Sequence, residues 1–248
     1  MATQPSTAPA GTARLDGKTT LVTGAGRGIG KAIALAFARA GACSVFVVRE
    51  RDFGQSLSDE LRAQGLKADF GVADVTDAGN ISMLVLDLTQ RHPAIDVLVN
   101  NAGIFMDEDR AMRPAEIDPL VVQETLDVNL LGPIRMCNAF LPYVPEGGRI
   151  INVSSRMGQL AGEPNTRGPA YCMSKAALNM YTQMLAADLH DRKIMVDCFH
   201  PGWAKTDMGG PRATVDPEVS AQTALFLATR ALSDKTGLFW QDSVPIEW

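Results

Sequence analysis

The sequence predicts a single α/β domain, a doubly wound parallel sheet of about seven strands with helices on both faces. Short apolar or β-branched runs alternate with longer stretches of helical periodicity, the order that a parallel sheet with crossover helices requires. The pairs Leu98-Val99 and Ile150-Ile151 are apolar without alternation, as in strands buried on both faces. No internal repeat, low-complexity tract or long linker interrupts residues 16–248, so this stretch is assigned to one domain.

Strands are expected at 19–23, 45–48, 67–72, 97–100, 149–154 and 195–199, with a short last one at 238–241. The first helix is expected at 28–40, where Ile33, Phe37 and Ala40 recur at helical spacing. Further helices follow at 77–91, 122–141, 170–190 and 217–229. Residues 1–15 are rich in Ala, Thr, Pro and Ser and carry almost no apolar periodicity, which indicates a disordered extension. They lack the apolar core of a secretory signal, and their arginine content is too low for a transit peptide.

Composition narrows the function classes. A hydrophobic content of 46% with 21% charged residues is that of an ordinary globule, and 248 residues can bury a substantial core. The formal net charge of −5 and the absence of a basic run argue against nucleic-acid binding. No apolar stretch approaches the roughly 18 residues of a membrane span. Cys43, Cys137, Cys172 and Cys198 are scattered, which suits reduced packing residues in a cytoplasmic protein. His92, His190 and His200 have no carboxylate or cysteine at ligand spacing, so no metal is expected.

Two residues on one helix carry the chemistry. In Tyr171-Cys172-Met173-Ser174-Lys175 the tyrosine and lysine stand four apart and share a helix face. A cation beside a phenol favours the ionised form and draws its pKa down from about 10 toward neutrality. Such a tyrosine can exchange a proton with an alcohol or carbonyl oxygen. Ser155 follows the apolar run 149–154, so its hydroxyl is expected at the carboxyl end of a buried strand. Taken alone, the spacing more often marks a solvated helix face, and the other motifs have to overturn that reading.

The first strand leads into Thr23-Gly24-Ala25-Gly26-Arg27-Gly28-Ile29-Gly30 and then a helix. Glycines let a pyrophosphate approach the backbone, and the helix amino terminus offers unpaired N–H groups to the anion. The spacing is G-x-x-x-G-x-G, with Ile29 where G-x-G-x-x-G would place its third glycine. At the end of the second strand an acidic residue would hold the ribose of NAD, whereas arginine accommodates the 2′-phosphate of NADP. Here Arg49 occupies that place and Arg27 can reach the same phosphate, so NADP(H) is preferred. A shift of one residue would present Glu50 instead, which keeps NAD(H) as the alternative.

From Gly17 to Trp248 the chain resembles the short-chain dehydrogenase/reductase family. The motifs stand in the family's order: the glycine turn, Asp74-Val75, Asn100-Asn101-Ala102-Gly103, Asn129, Ser155, Tyr171 with Lys175, and Pro201-Gly202-Trp203-Ala204-Lys205-Thr206. The segment 201–211 and the terminal Glu247-Trp248 look more like the NADPH-dependent carbonyl reductases than other branches. The resemblance implies a Rossmann-type fold in which Gly24, Arg27, Gly28, Ile29 and Gly30 hold the dinucleotide. Asp74 and Val75 would flank its adenine, and Asn101, Ala102 and Gly103 would support the ribose. Pro201, Gly202, Ala204 and Thr206 would hold the nicotinamide carboxamide. Asn129 would keep a water between Lys175 and solvent, while Lys175 binds the nicotinamide ribose.

The implied activity is reversible reduction of a ketone or aldehyde, with Ser155 orienting the carbonyl oxygen and Tyr171 supplying its proton. A loop at about 203–216 would cover the substrate. Met157, Trp203, Met208 and Phe105 would surround a hydrophobic carbonyl or alcohol. The Ser155–Tyr171 spacing is slightly longer than in many relatives, yet it lacks the long insertion of some carbonyl reductases. That leaves the family's homodimer or homotetramer open. A 3-oxoacyl-carrier-protein reductase shares the chemistry but needs a basic patch at the mouth, where the sequence offers Arg156 and Arg167. A catalytically silent NADP-binding regulator is the reading from another class, against which the intact Ser155, Tyr171 and Lys175 speak. An epimerase is disfavoured by the short carboxyl-terminal region.

Overall fold

The computed structural model describes residues 14–163 and 165–248. Eight strands form one sheet in the order β3-β2-β1-β4-β5-β6-β7-β8. They are β1 Thr19–Thr23, β2 Cys43–Val48, β3 Ala68–Val72, β4 Val97–Asn100, β5 Arg149–Val153, β6 Met195–Phe199, β7 Phe239–Gln241 and β8 Val244–Ile246. The first seven pair in parallel and β8 turns back antiparallel on β7. The eighth strand adds one to the about seven expected. Its hairpin is closed by Asp242 and Ser243, both in the left-handed region (φ 49° and 62°). That turn geometry is usually signalled by Asn-Gly or Asp-Gly, so Asp-Ser carries little warning of it.

The helices are α1 Gly28–Arg39, α2 Arg51–Ala63, α3 Ala78–Arg91, α4 Asp107–Ala111, α5 Pro119–Leu126, α6 Gly132–Phe140, α7 Pro169–Asp188 and α8 Pro217–Thr229. Two apolar layers flank the sheet. One joins α1, α2 and α8 to the face bearing Val22, Phe46 and Phe199. The other joins α3, α6 and α7 to the face bearing Leu21, Leu98 and Ile150. Leu15, counted with the extension by its sequence, is buried against the first layer, and its N–H bonds Ala40 O at 2.8 Å. An apolar side chain at the mouth of the core anchors there, whatever its polar neighbours. Residues 1–13, expected to be disordered, lie outside the described residues.

The single helix expected at 122–141 is broken by a π-helical turn at Asp127–Leu131. Pro133 has no N–H to give the Asn129 carbonyl four residues back, so regular α-helical bonding fails at that point. The Arg135 guanidinium bonds both Asp127 O (3.3 Å) and Asp127 Oδ1 (2.7 Å) across the turn. Helices α2 and α4 were not evident from periodicity, because α2 opens on a polar run with Gly54 and α4 is almost wholly charged.

The strand order reverses between β1 and β4, and in such sheets the carboxyl ends at this switch point open the ligand crevice. Among the described residues no helix is long and apolar enough to cross a membrane.

Candidate active site

The glycine turn lies at that crevice. Gly24 and Gly28 have φ of 61° and 54°, conformations that cost little only without a Cβ. A Cβ on Gly30 would stand 2.5 Å from Gly24 O and 2.3 Å from Asn101 Nδ2, so the position admits hydrogen alone. No side chain caps the start of α1 after Arg27, which leaves its first N–H groups to an anion. Asn101 donates from Nδ2 to Thr23 O at 2.9 Å, while the N–H groups of Asn101 and Ala102 share Thr23 Oγ1 at 3.0 Å. These bonds fix Asn101, Ala102 and Gly103 beside the turn. The uncapped helix end and the hydrogen-only positions fit a dinucleotide pyrophosphate.

Arg49 projects into solvent just past β2, and its charge helps hold the Asp74 carboxyl below the usual range. The larger cause is Thr76, whose N–H and hydroxyl bond Asp74 Oδ1 at 2.9 and 2.7 Å. Val75 is buried against Gly132. Glu50 is the N-cap of α2, its carbonyl accepting from Gly54 N at 3.1 Å, so Arg49 holds the position at the strand end. Arg27 is paired with Asp207 at 2.8 Å, a bond from the glycine turn to the loop after β6.

That loop follows Pro201 and Gly202 (φ 77°) and contacts the turn through Thr206, whose Cγ2 is 3.0 Å from the Cβ position of Gly28. Ala204 bridges Val215, and Thr206 Oγ1 accepts from Gly209 N at 3.1 Å. Trp203 donates from its indole to Gly209 O at 2.9 Å and stays half exposed, as does Met208. Met157 lies across the crevice, its Cε 3.3 Å from the Cβ position of Gly168.

Ser155, Tyr171, Lys175 and Asn129 are all buried at the ends of β4 and β5. Ser155 caps a short 3-10 turn, its Oγ accepting from Met157 N at 3.1 Å. Lys175 donates to Val153 O at 2.9 Å and holds its Nζ 5.6 Å from the centre of the Tyr171 ring. Asn129 is fully engaged: it accepts from Ile104 N at 2.8 Å and donates to Ile104 O (2.9 Å) and Ser174 Oγ (3.0 Å). Ser174 Oγ in turn donates to Tyr171 O at 2.8 Å. With its side chain so engaged, the polar atom that Asn129 could offer a water would be its main-chain carbonyl, the one Pro133 cannot pair.

The expectation that Lys175 draws the phenol toward neutrality is corrected for the protein alone. Burial pushes Tyr171 up to about 12, with the Ser155 hydroxyl offsetting part of the rise. Burial likewise lowers Lys175 to about 8. Each charged form loses its hydration on burial, and with Nζ 5.6 Å from the ring centre the lysine does not offset the rise at Tyr171.

Phe105, expected beside the substrate, stacks on Tyr171 with ring centres 4.5 Å apart. Two further residues near the tyrosine were not legible as site residues: Arg110, whose guanidinium lies 4.0 Å over the Phe105 ring, and Asp109. Asp109, inside a charged run that reads as solvated surface, is wholly buried.

Residues 18–215 match the family model for short chain dehydrogenases. The chain belongs to the short-chain dehydrogenase family. Carbonyl reductase [NADPH] 1 of Sus scrofa is 31% identical over 92% of this chain and 93% of its own length. A versicolorin reductase of Emericella nidulans is 36% identical over 79% of this chain and 72% of its own length. An NADPH-bound carbonyl reductase from chicken fatty liver superposes with a TM-score of 0.82 at 26% identity, covering 94% of this chain and all of that one. The fold, switch-point crevice and glycine turn described above are those of a short-chain dehydrogenase.

Proposed function

We propose that this short-chain dehydrogenase is an NADPH-dependent carbonyl reductase that converts an apolar ketone or aldehyde reversibly to its alcohol. The observation that carries the reading is the burial of Ser155, Tyr171 and Lys175 together at the sheet's switch point. NADP(H) is preferred because Arg49 stands at the end of β2 and Arg27 in the glycine turn. The NADPH named for the pig and chicken relatives supports the same choice.

A dinucleotide held in the crevice would supply the hydride for the carbonyl carbon. Ser155 Oγ donates a hydrogen bond to the carbonyl oxygen and sets its direction. Tyr171, a phenol at neutral pH whose pKa burial pushes up to about 12, gives that oxygen its proton. Lys175 would bind the nicotinamide ribose and, as the ammonium, would restore the proton to the phenolate that is left. Asn129 holds the start of this chain in place through Ile104 and Ser174. Phe105, Met157, Trp203 and Met208 would line the substrate side.

One observation favours a second reading, a 3-oxoacyl-carrier-protein reductase. A cleft of about 440 Å³ is lined by Arg110, Arg113, Arg167 and Thr166, a larger basic surface than Arg156 and Arg167 alone offered. An acidic carrier would be drawn to it. Self-association as a homodimer or homotetramer belongs to the same proposal. Met173, Met180 and Met184 leave an apolar stripe exposed along α7, and sedimentation analysis reads the state directly.

The test is cofactor oxidation with a panel of ketones, aldehydes and carrier-linked 3-oxoacyl thioesters, each with NADPH and with NADH. Faster oxidation of NADPH with apolar ketones is expected. Turnover confined to carrier-linked substrates selects the second reading. Binding of NADPH with no turnover at all overturns both in favour of a silent regulator.

A further inference from the structure

The amino terminus of α7, which carries Tyr171 and Lys175, lacks a cap of its own. Gly168 at the N-cap has no side chain, sits at φ 65° and provides no capping bond. Pro169 at the first helical position removes one N–H from the set needing partners. The next two N–H groups, of Ala170 and Tyr171, both donate to Asp109, at 2.9 Å to Oδ1 and 2.9 Å to Oδ2. Asp109 lies some sixty residues earlier in the chain, on α4, and is wholly buried. Its neighbour Arg110 pairs with Asp107, so the two helical N–H groups and the positive end of the helix balance the buried carboxylate.

The same short helix grips the site twice more. Arg110 donates to Met208 O at 2.7 Å, which ties α4 to the substrate loop. It also stacks on Phe105, which stacks on the tyrosine ring. Backbone and ring of Tyr171 are thus both referred to one element that leaves β4 beside the dinucleotide crevice. We propose that Asp109 is a positioning residue, a cap supplied from outside the helix that fixes the proton-donating tyrosine relative to the cofactor. This rests on the reductase reading for its consequence, though not for its geometry.

Asp109→Asn keeps the shape but can accept only one of the two N–H groups, and Asp109→Ala accepts neither. Hydrogen–deuterium exchange, read by mass spectrometry over 168–176 and over 149–153 as reference, measures the cap without any turnover. Exchange at 168–176 is expected to quicken by about 2–30-fold, the range a lost capping bond converts to, while the reference stays protected. In the kinetic arm, turnover is expected to fall by about 10–100-fold in Asp109→Ala, with Asp109→Asn in between. The dissociation constant for NADPH should stay within about threefold, and the primary isotope effect with 4-deuterated NADPH should rise as transfer becomes limiting. A merely structural role would lower activity in step with the folded fraction and leave the isotope effect as in the wild type, which overturns the proposal. Unchanged exchange at 168–176 overturns it too. Should the wild type turn over no carbonyl, the reductase reading fails and exchange alone decides whether Asp109 holds Tyr171.

Discussion

Lys175 is the residue whose environment makes the firmest claims. Its ammonium is buried and its pKa is lowered from the ordinary 10.5 to about 8, chiefly by lost hydration. Turnover in the reducing direction should therefore decline as pH rises through about 8, where the group that reprotonates Tyr171 loses its charge. A pH profile of turnover checks this, and a flat profile to pH 10 would remove Lys175 from the relay. Stability follows from the same shift. Because the folded pKa lies below the unfolded one, the unfolded chain holds the proton more tightly. The resulting cost is full below pH 8 and fades between 8 and 10.5. Lys175→Met is expected to stabilise the fold at pH 7 by on the order of 2 kcal/mol while cofactor affinity and turnover fall. Thermal melts against pH measure it, and a lower Tm at pH 7 would contradict the account.

At the scale of single elements, the start of α7 has the least freedom. A Cβ at Gly168 would lie 2.6 Å from Phe105 Cζ, and the residue sits at φ 65°. Gly168→Ala should cost about 1–2 kcal/mol in backbone strain alone and drive Phe105 against the tyrosine ring. A lower Tm together with reduced turnover is expected; wild-type turnover would show that the Phe105 stack does not matter to the site. The short β3 is the open edge of the sheet, and two arginines cover it. Arg62 Nε donates to Ala68 O at 2.8 Å and Arg91 to Phe70 O at 3.2 Å, while both pair with Asp69. Carbonyls on such an edge are otherwise free to pair with another chain. The double variant Arg62→Ala, Arg91→Ala should aggregate faster on heating at high concentration. Light scattering that matches the wild type would reject this role.

For the molecule as a whole, the sequence was most legible where burial is two-sided. Uniformly apolar runs such as Leu98-Val99 and Ile150-Ile151 marked the parallel core, and the glycine turn marked the crevice. Reading failed where tertiary contacts overrule local pattern. Asp109 stands in a run of acids, and only the approach of α7 makes it a buried cap. β8 escaped notice because it is only three residues long and carries Pro245, whose missing N–H is tolerated at the sheet's edge. The attraction of Lys175 for the phenolate was legible from spacing. The larger penalty of burying both groups was not, because depth is a property of the assembled sheet and helices.

The central claim is that Tyr171 hands its proton to a carbonyl oxygen beside a bound dinucleotide. Steady-state reduction by Tyr171→Phe, with NADPH affinity measured on the same sample, tests it most directly. The account predicts turnover lowered by about 10²–10⁴-fold with NADPH still bound. A variant that binds NADPH and retains near-wild-type turnover would contradict it.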